Sequence, residues 1–408
     1  MERIEADLLI PGRGRPVQDV VVVLDGTTIR YAGPTAAAPS TPNAAVTKAP
    51  VVMPGLWDCH GHFLGVRSLD LAQVPMESEA LRAARATVDL RAALNAGVTT
   101  VRELGGLGIH LAQAVKEGTV DGPSIYAAGA MLSTTGGHGD FHRLPLAWVI
   151  DFSHRDGEIR LADGVDECVR ATREQLRRNA RLIKVCASGG VLSEVDDPIH
   201  QQFTVKELQA IVEVAGMADR VVAAHCHGKP GIMAALEAGV RTIEHGTYLD
   251  DEACAAMREA GAVLVPTRTV ISELLGNAAA PPYAMIKLRA LEKTHAAAIS
   301  MAHDRGVTIA MGTDVALSGR DLPASWGRNG LELPLLVRAG LSPLEAIEAA
   351  TANGPLTLGP QAPSSGQLVE GWDADVITVD ANPLADITVL ADQLHVTGVW
   401  VRGRRVKG

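Results

Sequence analysis

The chain has 408 residues, of which 47% are hydrophobic, and its formal net charge is −10. This acidic balance excludes a surface built to bind nucleic acid or an anionic membrane. The five cysteines are odd in number and form no C-x-x-C pair, which argues against a disulfide framework and indicates a reducing compartment. The N-terminus lacks the apolar core of a signal peptide, and no apolar run reaches the ~18 residues of a membrane span. We therefore expect a cytoplasmic protein.

The first 52 residues alternate short β-like runs with turns. They contain A-D-L-L-I, V-V-V-L-D and I-R-Y-A-G, and then a loop rich in proline and alanine. Residues 359–408 have the same character, with the runs A-D-V-I-T-V and T-G-V-W-V. Both termini are rich in β-branched residues and lack a helical period. They predict one small β-sandwich domain made from both ends of the chain.

Residues 53–358 repeat one pattern, in which a helical stretch, a glycine, a β-branched run and a polar residue follow each other. Glycine suits the left-handed residue that closes a helix, and β-branched residues suit a buried parallel strand. Eight such runs alternate with helical stretches such as 78–95, 205–217 and 284–304. The runs are V-V-M-P-G-L-W-D-C-H, V-T-T-V-R-E, S-I-Y-A-A-G-A-M, L-I-K-V-C-A-S, V-V-A-A-H-C-H, R-T-I-E-H, A-V-L-V-P-T-R and V-T-I-A-M-G-T-D. They predict an α/β fold, a (β/α)8 TIM barrel.

Polar residues stand at the C-terminal ends of five predicted barrel strands, where the catalytic groups of such barrels lie. They are His60 and His62 on the first strand, Lys184 on the fourth, His225 on the fifth, His245 on the sixth and Asp314 on the eighth. Neutral imidazole and carboxylate are preferred ligands of zinc and similar divalent ions. The pattern predicts a metal site at the mouth of the barrel, although any one histidine alone is more often a hydrogen-bonded core residue.

Lys184 has two interpretations. Two neighbouring cations need an anionic bridge, and a buried lysine that loses its proton can react with carbon dioxide to form a carbamate. Such a carbamate has two oxygens and can hold two metal ions. An ordinary ion-paired lysine is the alternative.

Five motifs in this order resemble those of the amidohydrolase superfamily. They are H-G-H, K-V-C-A-S-G-G, A-H-C-H-G, I-E-H-G-T and G-T-D. The likeness covers nearly the whole chain, because the split β-domain and the run G-Q-L-V-E-G-W-D-A-D are also typical of that superfamily.

The resemblance implies a binuclear centre with two divalent metal ions, which we expect to be Zn²⁺. His60, His62 and Asp314 would hold the more buried ion, and His225 and His245 the outer one. A CO2-derived carbamate on Lys184 and a hydroxide would bridge the two ions. Asp314 would also act as the general acid–base, passing a proton from the attacking water to the leaving amine.

The segment after the fifth strand helps to choose the reaction. Single-metal deaminases of the superfamily lack the lysine on the fourth strand and usually have a glutamate soon after the histidine on the fifth, whereas H-C-H-G-K-P contains no acid. Hydrolysis is therefore favoured over deamination. The loop T-T-G-G-H-G-D looks like the branch that contains Xaa-Pro and Xaa-Arg/Lys dipeptidases, ochratoxin-type amide hydrolases and imidazolonepropionase-related enzymes.

Four residues are candidates for substrate binding. In that branch His138 would grip the carboxylate of the leaving amino acid, and His227 stands where several dipeptidases have a tyrosine. Arg268 has a guanidinium that suits a carboxylate, and Tyr248 lies on a loop where barrels form substrate pockets. A glycine-rich turn around His138 and a surface position for Arg268 are the alternatives.

These observations predict a binuclear metal-dependent hydrolase that cleaves the amide or peptide C–N bond of a dipeptide or N-acyl amino acid by a metal-bridging hydroxide. The alternatives are a carbamate, lactone or ester hydrolase at the same metals and, in another class, a non-catalytic barrel scaffold. We expect a small-molecule substrate and a homo-oligomer. Residues 317–330, with an exposed tryptophan at Trp326, are predicted to be either a lid or a plain connecting loop.

Overall fold

The computed structural model describes residues 1–155, 157–276 and 280–408. The strands are β1 (Glu2–Leu9), β2 (Val17–Asp25), β3 (Thr28–Pro34), β4 (Ala45–Pro54), β5 (Leu56–Val66), β6 (Val98–Glu103), β7 (Ser124–Ala127), β8 (Met131–Ser133), β9 (Ile159–Leu161), β10 (Ile183–Cys186), β11 (Val222–Cys226), β12 (Thr242–His245), β13 (Val263–Val265), β14 (Thr308–Ile309), β15 (Val315–Leu317), β16 (Val376–Val379), β17 (Val396–Val401) and β18 (Arg404–Lys407). The helices are α1 (Glu79–Asn95), α2 (Gly108–Lys116), α3 (Leu146–Ser153), α4 (Val165–Arg177), α5 (Val205–Gly216), α6 (Lys229–Glu237), α7 (Asp251–Ala260), α8 (Arg268–Leu275), α9 (Pro282–Asp304), α10 (Glu332–Arg338) and α11 (Pro343–Ala349). Within these ranges, none of the helices has the length and apolar character needed to cross a membrane.

The two ends of the chain form one seven-stranded sheet in the order β18-β17-β16-β4-β1-β2-β3. Strand β4 pairs in parallel with β1 and antiparallel with β16, so it joins the N-terminal strands to the C-terminal ones. The β-branched run from Val20 to Val23 is buried, as the sequence pattern predicts. The predicted β-domain drawn from both termini is confirmed.

The central part of the chain forms the predicted parallel barrel. Strands β14-β13-β12-β11-β10 are consecutive neighbours in one sheet, and β5-β6-β7 are neighbours in another. Two backbone hydrogen bonds close the ring between these sheets: Cys59 N–H donates to the Met311 carbonyl at 2.8 Å, and Arg181 N–H donates to the Ala127 carbonyl at 2.8 Å. The α/β-barrel class is therefore confirmed.

Two predicted barrel strands are interrupted. The run from Val51 to His60 is split at Gly55, so that its first residues belong to the terminal sheet and β5 begins the barrel. A Cβ on Gly55 would lie 2.1 Å from the Thr99 hydroxyl oxygen, so only glycine fits this crossing between domains. The run from Ser124 to Met131 is split at Gly129, where the backbone has φ +75°, and its last residue starts β8.

Helix ends follow local sequence signals. Thr204 and Glu207 form a reciprocal capping box at the start of α5, and Ser342 and Glu345 form another at α11. Gly261 closes α7 in the left-handed conformation expected of the repeated glycines. These helix ends therefore lie where the local sequence signals predict them.

Candidate metal and active site

Parallel pairing brings the predicted site residues to one rim of the barrel. Cys186 of β10 is in register with His225 of β11, and Cys226 of β11 is in register with His245 of β12. His225 and His245 therefore lie at the ends of adjacent strands. The four predicted histidine ligands and Lys184 are all buried.

The first group of ligand-type atoms comes from β5 and from the segment between β14 and β15. Asp314 Oδ1 lies 3.2 Å from His62 Nε2 and 3.5 Å from His60 Nε2. Burial acts to raise the pKa of Asp314, but the neighbouring His60 and His62 outweigh it and hold that pKa at about 2. Asp314 is thus a carboxylate that faces two imidazoles, a combination able to coordinate a divalent cation.

The second group contains one histidine more than the sequence analysis assigned to the metal. His225 Nδ1 lies 2.8 Å from His245 Nε2, and one nitrogen from each of His225, His227 and His245 lies within 4.8 Å of the others. Burial lowers the pKa values of His225 and His245 well below the usual range, and it lowers that of His227 to about 3. All three imidazoles are neutral at pH 7, the state in which histidine binds metals.

Lys184 is buried on β10 and has 1% exposure. Its Nζ has no hydrogen-bond partner within the described ranges, which is unusual for a buried amine. Burial lowers the pKa of Lys184, and the carboxylates of Glu244 and Asp314 oppose that shift. The positive charge that Lys184 would carry contributes, by repulsion, to the lowered pKa values of His60, His225 and His245.

Each ligand-type imidazole has a second contact that orients its ring. His62 Nδ1 lies 2.8 Å from the Gly105 carbonyl, and His245 Nδ1 lies 2.6 Å from Thr267 Oγ1. His225 Nε2 lies 3.1 Å from the Gly189 carbonyl. In metal sites such contacts fix the ring and leave the other nitrogen for the ion.

Three non-glycine residues at the rim have positive φ angles. They are His245 at 71°, Thr267 at 54° and Asp314 at 60°. This conformation costs of order 1–3 kcal/mol per residue and persists only where surrounding contacts impose it. The strain is concentrated on two predicted ligands and on the threonine that orients one of them.

The predicted substrate-binding residues occupy different surroundings. The His138 ring stacks on His225 with centroids 4.1 Å apart, and its Nδ1 lies 2.7 Å from Ser193 Oγ. Tyr248 is half-buried next to this group, and its backbone N–H donates to the His227 carbonyl at 2.9 Å. The guanidinium of Arg268 instead contacts α9, donating to the Glu292 carbonyl at 3.1 Å, so the structure does not bring it into the histidine group.

Sequence reasoning missed the buried polar residues behind the ligands. Asp58 accepts hydrogen bonds from the backbone N–H groups of His60 and Thr313, each at 3.1 Å, so it joins β5 to the segment that carries Asp314. Arg102 and Glu244 form an ion pair against His60. The signal was present, because charged residues inside buried β-branched runs are rarely structural accidents.

The predicted exposure of Trp326 is wrong. Its side chain is 2% exposed, stacks on Phe63 with centroids 3.9 Å apart, and donates from Nε1 to the His62 carbonyl at 3.1 Å. Arg328, further along the same segment, makes a two-pronged salt bridge to Glu273. These contacts bind residues 317–330 to the barrel, which favours the connecting loop over the lid.

We expect Trp326→Ala to lower the free energy of unfolding by about 3–5 kcal/mol, because it removes a buried aromatic side chain and leaves a cavity. Denaturant-induced unfolding followed by circular dichroism measures the loss. Trp148→Ala is the matched control, since Trp148 is 59% exposed and its loss should cost no more than about 0.5 kcal/mol. Equal unfolding midpoints for the two variants would contradict the packing role.

The chain is similar to known proteins in both sequence and structure. The amidohydrolase family model matches residues 51–406. The ochratoxinase of Aspergillus niger is 43% identical over 426 aligned positions, which cover 99% of this chain and 86% of the relative. Its crystal structure has a TM-score of 0.94 and covers 100% of this chain and 95% of that one.

Two further solved structures are similar along their whole length. A prolidase complexed with N-methylphosphonate-L-proline is 32% identical, with a TM-score of 0.90 and coverage of 100% of this chain and 99% of that one. A Xaa-Pro dipeptidase with methionine bound in the active site is 31% identical, with a TM-score of 0.88 and coverage of 100% of both chains.

Proposed function

Since the chain belongs to the amidohydrolase family, we propose that it is a two-metal hydrolase of the amide or peptide C–N bond in N-acyl amino acids or dipeptides. Membership confirms the resemblance predicted from the histidine, lysine and aspartate motifs. It also makes the chain a hydrolase rather than a non-catalytic scaffold.

The ligand-type side chains of the site support two divalent cations, which we propose to be Zn²⁺. Imidazoles and an ionised carboxylate form two separate groups, His60–His62–Asp314 and His225–His227–His245. The observation that carries the proposal is Lys184, whose buried Nζ lacks a partner among the described residues. Its charged form would repel protons from His60 in the first group and from His225 in the second. A carbamate on Nζ would turn this unsatisfied amine into an anionic ligand shared by both ions.

The ions would supply water of lowered pKa and a Lewis acid for the substrate carbonyl. The side chains of the site have two further roles, metal binding and proton transfer. His60, His62, Asp314, His225 and His245 would hold the ions, and His227, the third imidazole of the second group, would be left for the substrate. Asp314, the one carboxylate in the first group, takes a proton at Oδ1 and delivers it to the leaving nitrogen, as a general acid–base does.

The relatives support the choice of substrate class. The ochratoxinase is the 43% identical relative, the prolidase holds N-methylphosphonate-L-proline, and the Xaa-Pro dipeptidase holds methionine. Each of the two bound molecules is an amino acid or an amino-acid derivative with a carboxylate. We propose that this chain also releases an amino acid, and that His138 and His227 at the rim contact its carboxylate.

A substrate survey with the zinc-loaded enzyme tests the proposal. We expect hydrolysis of N-acyl amino acids, dipeptides or ochratoxin, with activity lost to a chelator and restored by Zn²⁺. Each amide is paired with its methyl ester at the amino-acid carboxyl group, and this control should react more slowly because the carboxylate contact is lost. Turnover restricted to carbamates, lactones or simple esters would overturn the substrate class, and chelator-resistant activity would overturn the metal site.

A further inference from the structure

A fully buried ion pair lies behind His60. Arg102 on β6 and Glu244 on β12 are both 0% exposed, and Arg102 donates to Glu244 Oε1 at 2.6 Å. The other oxygen, Glu244 Oε2, lies 2.8 Å from His60 Nδ1. The three side chains form a continuous line from the barrel interior to the rim.

This arrangement determines which nitrogen of His60 carries the hydrogen. Arginine remains a cation in proteins, and a glutamate paired with it is ionised and can only accept hydrogen bonds. His60 Nδ1 must therefore carry the hydrogen and donate it to Glu244. The lone pair is left on His60 Nε2, the nitrogen that lies 3.5 Å from Asp314 Oδ1.

Only a carboxylate satisfies every neighbour of Glu244. Oε1 accepts from Arg102 and from the hydroxyl of Thr242, and Oε2 accepts from His60. Arg102 also donates to the Cys59 carbonyl at 2.6 Å and to Thr242 Oγ1 at 2.9 Å, so its orientation is set by β5 and β12. A glutamine would turn an amide N–H₂ toward either Arg102 or His60, placing one donor against another.

The other predicted histidine ligands are oriented by neutral groups in the described structure: His62 and His225 by backbone carbonyls, and His245 by a hydroxyl. His60 alone among these four contacts a carboxylate in this way. Burying an ion pair costs several kcal/mol of desolvation, and apolar residues of similar volume often stabilise a fold better. Stability alone therefore does not explain an ion pair at this point of the barrel.

We propose that Arg102 and Glu244 are positioning residues that keep His60 in the Nε2 lone-pair tautomer and increase its basicity toward the buried cation. The identity of that cation rests on the proposed function. The tautomer of His60 rests only on its contact with Glu244. Carboxylate–histidine pairs of this kind change metal affinity by roughly 10- to 100-fold in other proteins.

Glu244→Gln tests the proposal in the full-length, zinc-loaded protein. We expect the affinity for one of the two zinc ions, the one that His60 would bind, to fall by roughly 10- to 100-fold, measured by competition with a chromophoric chelator. Glu158→Gln is the matched control, because Glu158 also forms a buried pair, with Arg82 on α1, and its side chain contacts no site histidine in the described structure. The control should keep wild-type zinc affinity, whereas unchanged affinity in Glu244→Gln would overturn the proposal.

A measurement on the wild-type protein keeps the inference testable even if Glu244→Gln fails to fold. With ¹⁵N-labelled histidine, NMR correlation spectra should show the His60 hydrogen on Nδ1. A hydrogen on Nε2 would overturn the positioning role. Absence of bound zinc in the wild-type protein would instead overturn the proposed function, so the two failures are distinguishable.

Discussion

Replacing Lys184 with alanine should remove nearly all activity and at least part of the bound metal. An ion that stabilises the transition state by several kcal/mol accounts for a fall in kcat/KM of roughly 10³-fold, since each 1.36 kcal/mol is a factor of ten. The structural reason is that Lys184 is the only residue of the candidate site whose buried polar atom has no partner in the described part of the chain. Metal analysis and steady-state kinetics on the same preparation measure both effects.

Chemical rescue separates the two interpretations of Lys184. If it provides a carbamate, a short carboxylate such as propionate can enter the space left by Lys184→Ala and restore activity as a substitute anionic bridge. If Lys184 is an ordinary ion-paired lysine, an alkylamine should rescue instead. Wild-type metal content and rates in Lys184→Ala would show that the carbamate bridge is wrong.

The second large effect is expected for Asp314→Asn. Asparagine keeps the shape of the side chain but cannot accept and return a proton, so kcat should fall by about 10²- to 10⁴-fold. Kinetics at saturating Zn²⁺ measure this loss, and metal analysis of the same sample reports how much of it comes from weakened coordination. Both effects are measured because Asp314 Oδ1 lies 3.2 Å from His62 Nε2, within the first ligand group.

Asp251→Asn is the control for this substitution, because Asp251 lies exposed on α7 in a surface pair with Arg305. It should leave kcat unchanged, as surface ion pairs contribute little. An Asp314→Asn enzyme that bound its metals and kept kcat within tenfold of wild type would exclude Asp314 as the general acid–base.

The barrel could be predicted because its signals are local. Each unit contains a helix, a left-handed glycine and a β-branched run, and these depend on residues close together in sequence. The errors occurred where a distant contact overrides the local pattern. One apolar run passes between two domains at Gly55, where Thr99, more than forty residues away, occupies the space that a side chain would need.

The surroundings of individual side chains could not be predicted in the same way. Glycines in the same segment suggested that Trp326 lies on a mobile loop, yet its side chain stacks on Phe63 from β5. Arg268 has the right chemistry for a carboxylate, yet its guanidinium contacts α9. In both cases the partner lies far away along the chain, and local sequence contains no information about it.

By itself, the sequence determined the order of the barrel strands and which of them end in histidine, lysine or aspartate, because strand period and glycine placement are short-range properties. Only the tertiary structure decided that His227 joins His225 and His245, that the amine of Lys184 is left without a partner among the described residues, and that Arg102 and Glu244 meet behind His60. These features depend on closure of the barrel, which brings β6 and β12 into contact across 140 residues at Arg102 and Thr242. Burial inside that closed ring disfavours charged side chains. His225, His227 and His245 are therefore unprotonated, and the buried charges of Arg102 and Glu244 are paired with each other.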